Sequence, residues 1–401
     1  MIHRTGIVVL AMGLAAAASA PAQDVIISKQ GGEQMTLDDS GFAAPADGPA
    51  AVFGRTLRSD LRRTGWFTVV APGRGEIRLT GSAASRGQEV EAKVQAVSTA
   101  TGRAALSKGY RGAAGEARRL AHAVADDIVE AVTGQPGFAS SRLAVIGRRG
   151  TAKELFLCDS DGENLQQITR DGTISLYPRW SPDRTRIVYT SYLKRFPDVL
   201  MIDLAQGRRT RLAAFPGLNA GGAMSPDGRS VALILSRDGN PELYVMRLAD
   251  GTLTRLTNTP RAAESSPSWS PKGDRIVYVS DVSGRPQLYL IGRDGSAPRR
   301  LTARGFENVA PDWGRHGLIA HAQSVGGRYQ LAITDPATGE TRTLGQDAAE
   351  WEDPTWARDG RHLAAVRKDG RGSAIYLVDT RGGDPIPLLT VGDWFSPAWS
   401  P

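Results

Sequence analysis

The sequence predicts two folded units in series: a small N-terminal α/β domain over residues 23–135 and, after a linker at 136–140, a six-bladed β-propeller over residues 141–401 that the C-terminal strand closes. Three observations carry the prediction. A Pro-x-Trp-Ser-Pro-like segment recurs through the last two-thirds of the chain at intervals of 43 to 45 residues. Short apolar runs divided by Asp-Gly and Ser-Gly turns fill each interval. The array also starts one strand short and ends with one to spare. A fixed period of this length marks a repeat architecture, and four short antiparallel strands per period mark propeller blades.

The anchors of the repeat are Trp180, Met224, Trp269, Trp313, Trp356 and Trp399. Each of the first five is followed by the same layout, as the third shows. A strand at 275–280 leads through Ser283-Gly284 to a second strand at 287–291. A turn at Asp294-Gly295 then leads to a last strand ending in Leu301-Thr302. The strand entering each anchor makes four. One blade buries neither face alone, so a large flat side chain at a fixed position fills the wedge between neighbours. Met224 fills the same wedge with a flexible chain. Prolines on either side stiffen the turn and leave no N–H to satisfy. The first unit, from Arg142, lacks an inner strand, and the last anchor strand, 394–399, lacks a blade. Packing that strand against 144–146, 155–158 and 165–169 removes two exposed sheet edges, which otherwise invite aggregation.

The first 22 residues read as a secretory signal peptide. His3 and Arg4 precede the apolar run Ile7 to Ala18, and small residues allow cleavage after residue 20 or 22. No later apolar stretch is long enough to span a bilayer, so no integral membrane segment is expected. In the domain that follows, residues 24–28 read as a short strand and 31–49 as a polar loop. Val52, Phe53, Leu57 and Leu61 have helical spacing and predict a helix over 50–63. Strands are expected at 66–70, 76–81, 89–97 and 103–110. A second helix is expected at 115–132, with Gly134 as its stop.

At 401 residues the chain exceeds one comfortable core, and its 46 glycines and 23 prolines suit a turn-rich fold. The net charge of +7 is scattered, with no lysine-rich tract or aromatic platform, which argues against a nucleic-acid partner. The single cysteine, Cys158, makes no internal disulfide and reads as a buried thiol. The sequence contains no Gly-x-Ser-x-Gly elbow, no His-Glu-x-x-His, no Walker loop and no cysteine pair. No catalytic residue, cofactor or metal ligand is therefore assigned, and the protein is not read as an enzyme. His122 reads as a surface residue beside Arg118 and Arg119, and His316 and His321 have no carboxylate in their segment to complete a site. Acidic residues before the anchors carry more weight. Glu264, Glu307, Glu352 and Asp353 fall where loops ring one mouth of the channel. They form either a solvated rim or a polar docking surface for a protein or peptide.

The chain resembles the TolB family of the Tol-Pal system over essentially its whole length. The resemblance rests on residues 57–67 and 125–134, on Leu243-Tyr244-Val245-Met246, on 284–289, and on the terminal Pro397-Ala398-Trp399-Ser400-Pro401. It implies a periplasmic, non-enzymatic adaptor, monomeric outside its complexes. The implied partners are Pal, the peptidoglycan-associated lipoprotein of the outer membrane; TolA, which reaches out from the inner membrane; and other outer-membrane proteins. The implied role is to keep the outer membrane intact and to support its constriction during cell division. Leu218, Asn219, Gly221 and Ser265 match family positions implicated in Pal binding. With Glu264, Glu307 and Glu352 they form the expected Pal surface. Leu218, where the family usually carries a polar residue, is its expected apolar centre and is expected to be exposed. Asp24, Val25, Ile26, Ile27 and Ser28 match the segment that contacts TolA. The competing reading, a secreted propeller with a small-molecule or hydrolytic site, has no motif behind it.

Overall fold

The computed structural model describes residues 34–345, 347–370 and 372–401. The signal peptide expected over residues 1–22 and the strand expected at Asp24 to Ser28 both lie outside the described residues. The N-terminal unit is built from β1 (Met35–Ala43), α1 (Gly48–Arg63), β2 (Phe67–Val69), β3 (Ile77–Arg86), β4 (Glu89–Ser98), β5 (Ala104–Ala113) and α2 (Ala117–Thr133). Its sheet has the order β2-β1-β3-β4-β5. Phe53, Leu57 and Leu61 of α1 and Val124, Ile128 and Val132 of α2 share one apolar cluster with the sheet. Gly134 ends α2 in the left-handed conformation (φ 70°), where a side chain would be strained.

Strand β1 corrects the sequence reading, which took 31–49 as a loop. It pairs in parallel with both β2 and β3, and it buries Met35, Leu37 and Phe42. A register shift between Asp38 and Gly41 breaks the alternation that would have revealed it. Asp38 is buried but satisfied, accepting hydrogen bonds from Ser40 N (3.0 Å) and Gly73 N (2.7 Å). These bonds, led by that from the Ser40 hydroxyl, hold its carboxyl below the usual carboxylate range.

Six four-stranded sheets follow. Blade 1 has the strand order 394–399, 142–149, 152–159, 166–167, so its inner strand comes from the C-terminus and the other three from the start of the array. Trp394 lies opposite Gly147 and Trp399 opposite Leu143. Ser400 Oγ accepts from Arg142 N (2.9 Å), and Ser400 N donates to Arg142 O (2.8 Å). A Cβ on Gly147 would meet the Trp394 ring at 2.6 Å, so this position tolerates only glycine. Blades 2 to 6 run from inner to outer strand in chain order, starting at Ser175, Asn219, Glu264, Asn308 and Glu350.

The anchors end the inner strands and join neighbouring blades in two ways. Where the preceding blade offers a backbone carbonyl, the indole donates to it: Trp180 Nε1 to Ala398 O (2.9 Å) and Trp269 Nε1 to Ala223 O (2.8 Å). Elsewhere a polar side chain one residue before the previous anchor accepts from the anchor's backbone N–H. The pairs are Trp313 to Ser268 Oγ (3.0 Å), Trp356 to Asp312 Oδ2 (2.7 Å) and Trp399 to Thr355 Oγ1 (3.1 Å). Met224 packs instead with Val188 and Val199. The Leu-Thr blade ends also have a role. The hydroxyls of Thr169, Thr257 and Thr302 accept from the backbone N–H of Leu155, Leu243 and Leu288.

The two units meet at the anchor end of the propeller, over the turns of blades 1 and 6. Arg118 pairs with Asp161, Arg63 donates to Asp161 O (3.1 Å), Arg358 pairs with Asp126 (2.7 Å) and Arg361 donates to Gly65 O (2.8 Å). The connecting segment is packed: Phe138 is buried and meets Trp399 edge-on at 5.5 Å. His122, expected at the surface, is buried in this interface. Its Nδ1 lies 2.7 Å from Asp60 and its Nε2 3.7 Å from Asp159. Burial opposes its charge, but the carboxylates of Asp159 and Asp60 outweigh it and raise its pKa to about 9.

Two predictions follow from this packing. Trp399→Ala should lower stability by about 3–5 kcal/mol, the cost of losing a buried aromatic. A thermal melt that matches the wild type would contradict closure by the C-terminal strand. The second prediction concerns Glu264, which was expected on the rim. It is only 1% exposed and shares Thr259 Oγ1 with the equally buried Glu242. Burial, then the Glu242 charge, raises its pKa from the ordinary 4.5 to about 7. A carboxyl raised in the folded state stabilises the protonated fold, so stability should fall as pH rises from about 4.5 through about 7. Glu264→Gln should therefore melt above wild type at pH 8 and close to it at pH 4.5. The next junction already uses amides in both places, with Asn308 Nδ2 donating to Gln287 Oε1 (2.9 Å). Equal melts at pH 8 would contradict the buried carboxyl pair.

Candidate docking surface at the open mouth

Each inner strand runs from the mouth opposite the N-terminal unit toward its anchor. Midway it bulges. Every inner strand shifts register against its neighbour, and the residue three before each anchor has a left-handed backbone. These residues are Tyr177, Gly221, Ser266, Ala310, Asp353 and Ser396, with φ between 45° and 75°. Five of the six are not glycine, so the conformation costs energy that the surrounding ring must offset. A bulge re-aims the side chain at its centre. Asp353 accepts from Ser396 Oγ (3.1 Å), and Tyr177 of blade 2 feels the charges of Asp353 and Glu352 of blade 6. The bulges of blades 6 and 1 are therefore joined at the channel. Burial, then the Glu352 charge, raises the Asp353 carboxyl above its ordinary range.

The open mouth gathers the exposed apolar side chains of the molecule. Among the described residues, every large exposed hydrophobic except Leu165 and Tyr177 lies in its loops and hairpin tips, and Tyr177 lies at the bulge of an inner strand that leads from it. They include Val391 (90% exposed), Phe196 (66%) and Phe306 (53%). At the other end, all six anchors line a cavity of about 460 Å³ that also reaches Arg179 and Asp312.

The residues singled out from the sequence fall unevenly on this surface. Ser265 is exposed and Gly221 is partly so. Glu307 and Glu352 are half-buried, the first accepting from the Tyr329 hydroxyl and the second paired with Lys368. Leu218 is not the exposed centre that was expected. It packs on the core between blades 3 and 4, and its N–H donates to Ser236 Oγ (2.7 Å). Asn219 is buried and pinned to both the N–H and the carbonyl of Phe215 (2.9 and 2.7 Å). Glu264 is sealed inside, as described above. The mouth is therefore not an acidic ring, and its apolar groups sit on Tyr177, Phe196, Phe306 and Val391 instead. The signal for Phe196, Phe306 and Val391 was present: each stands in a turn or strand-entry segment, where a large apolar residue has no core to fill.

Among the described residues, one group of side chains is close enough to hold a cation, Asp60, His122 and Asp161. The protein's own cations already occupy it, with Arg118 on Asp161 and His122 on Asp60. It acts as a knot between the two units. Cys158 is buried, and burial pushes its thiol well up, away from the reactive thiolate. His321 is buried against Thr334 Oγ1 (2.8 Å), and His316 lies edge-on to Trp356.

Comparison with known proteins agrees with this architecture. The family model described as the TolB beta propeller domain matches residues 129–401. The chain is 31% identical to the Tol-Pal system protein TolB of Gluconobacter oxydans over 372 residues, 86% of this chain and 82% of that one. It is 32% identical to a TolB homolog of Chlorobium luteolum over 267 residues, 60% of each chain, so that match spans less than two-thirds of the relative. The crystal structure of TolB from Acinetobacter baumannii superposes with a TM-score of 0.82 at 25% identity, covering 92% of this chain and 97% of that one. The chain belongs to the TolB family of periplasmic β-propeller proteins, which work through protein–protein contacts.

Proposed function

We propose that this protein is the periplasmic adaptor of a Tol-Pal system, docking Pal on the open mouth of its propeller and contacting TolA through the segment that contains Asp24 to Ser28. In this reading residues 1–22 are a signal peptide removed on export. The protein then links the outer-membrane lipoprotein to the inner-membrane machinery, keeps the outer membrane intact and supports its constriction during division. Family membership supports the system. One observation supports the face: the exposed apolar side chains gather at the mouth that the N-terminal unit leaves uncovered. A soluble monomer rarely leaves such a patch without a partner. The loops that carry it stand on a rigid ring, which is how a scaffold presents a specific site. Ser265, Gly221, Glu307 and Glu352 are proposed to lie within the footprint. The buried Asn219 and Glu264 support the loops from beneath.

Phe306 gives the direct test. Its ring is exposed and covered by Arg285, whose guanidinium lies 3.4 Å from the ring centre. Phe306→Asp should weaken binding of the organism's own purified Pal by about 1–3 kcal/mol, read by titration calorimetry, and leave the thermal melt unchanged. Wild-type affinity in this variant would move the docking face elsewhere. Separately, removal of residues 23–33 should abolish TolA binding and spare Pal binding. Retained TolA binding by that truncation would refute the role of the segment.

A further inference from the structure

Blades 1 and 2 carry a cluster of unpaired cations at the open mouth. In blade 1 the hairpin 142–159 presents Arg149 and Lys153, and in blade 2 the hairpin 186–203 presents Lys194 and Arg195. Among the described residues, none of these four has a carboxylate oxygen within 4 Å, whereas the neighbouring Arg148 pairs with Asp393 and Lys368 with Glu352. The acids across the mouth are satisfied internally: Glu307 by Tyr329 and Asp347 by Arg367.

Three of the four free cations lie on aromatic faces. Arg149 sits 4.5 Å from the centre of the Phe156 ring, Lys153 4.1 Å from Phe395 and Arg195 5.9 Å from Phe196. The two hairpins are sewn together through the loop between them. Lys153 N donates to Thr173 O (3.0 Å), and Tyr192 N donates to Ile174 O (2.9 Å). Arg195, at φ 75°, closes the tip with its N–H on Tyr192 O (3.1 Å). The patch is therefore one fixed surface across two blades. Burial and the charges of Arg148 and Lys368 hold the Lys153 ammonium below its ordinary range, so an incoming carboxylate would relieve it.

The geometry points to a basic and aromatic crescent on blades 1 and 2 that receives an acidic segment of the docked protein, with an apolar side chain of that segment covering Phe196. This rests on the proposal that the partner docks on this mouth. A protein fits the crescent better than a lipid surface. Lys153 lies inward, its ammonium 4.1 Å from the ring of Phe395 on the innermost strand, and a flat bilayer reaches only the hairpin tips. Charges placed this way steer the encounter and fix the register of the complex.

The test uses the full mature protein and the organism's own Pal. Lys194→Glu/Arg195→Glu and, separately, Arg149→Glu are titrated at low and high salt, with Phe306→Asp in parallel. All sites are at the surface, and melts confirm folding. Each reversal should cost about tenfold or more in affinity at low salt, with the difference shrinking at high salt. If the reversals bind as wild type while Phe306→Asp fails, the crescent is overturned and docking at the mouth stands. If all three bind as wild type, the mouth is not the docking face and both readings fall. Sedimentation with phosphatidylglycerol vesicles should show no binding. Vesicle binding lost in the double reversal, with Pal affinity unchanged, would make the crescent a membrane contact and overturn the proposal.

Discussion

Ring closure joins Arg142 to Ser400, 258 residues apart in sequence, and the other junctions of the propeller presuppose it. An anchor tryptophan fills a wedge only if both neighbouring blades are held in place. Without blade 1 complete, the wedges at Trp180 and Trp399 open, and the ring has two free edges. A contact of such long range carries a high entropic cost before it returns any packing energy, so closure should come late in folding. The left-handed residues at the six bulges are a consequence. A non-glycine residue persists there only because the structure on both sides over-determines it.

Closure also divides the molecule into two ends with different chemistry. The anchor end meets the N-terminal unit through Arg–Asp pairs, the buried His122 and the packed segment around Phe138. The surface between the units is rich in charge, and interfaces of that kind permit relative motion. The open end carries exposed aromatics, a cluster of unpaired cations on blades 1 and 2, and acids such as Glu307 and Asp347 that are satisfied internally. The same repeat builds both, because the turns after the anchors are short and constant while the loops before the inner strands vary.

The blades were legible in the sequence because one signal, the anchor, repeats six times and its spacing leaves room for four strands and nothing more. The missing inner strand at Arg142 and the spare one at 394–399 made closure legible too. The bulge ring was not read, although proline two residues before five of the anchors marked it. A proline inside a strand belongs at an edge or a bulge, and the innermost strand is an edge. By sequence alone, those prolines serve a turn beside the anchor equally well. Strand β1 was hidden by its polar composition, since Asp38 is neutral to burial only once Ser40 and Gly73 bond it. Site residues were the least legible. Leu218, Asn219 and Glu264 stand in loops by sequence, yet burial is decided by neighbouring blades, which pattern alone does not position. His122 shows the same limit, because its partners Asp60 and Asp159 come from a different helix and a different unit.

The central claim is that the closed ring presents its uncovered mouth, and not its anchor end, to a protein partner. Hydrogen–deuterium exchange of the mature protein with and without Pal tests it most directly. The account predicts slowed exchange confined to the open-mouth loops and hairpin tips around 172–174, 191–196 and 303–307, with the anchor turns and the N-terminal sheet unchanged. Protection confined to the anchor turns or the N-terminal unit would contradict it.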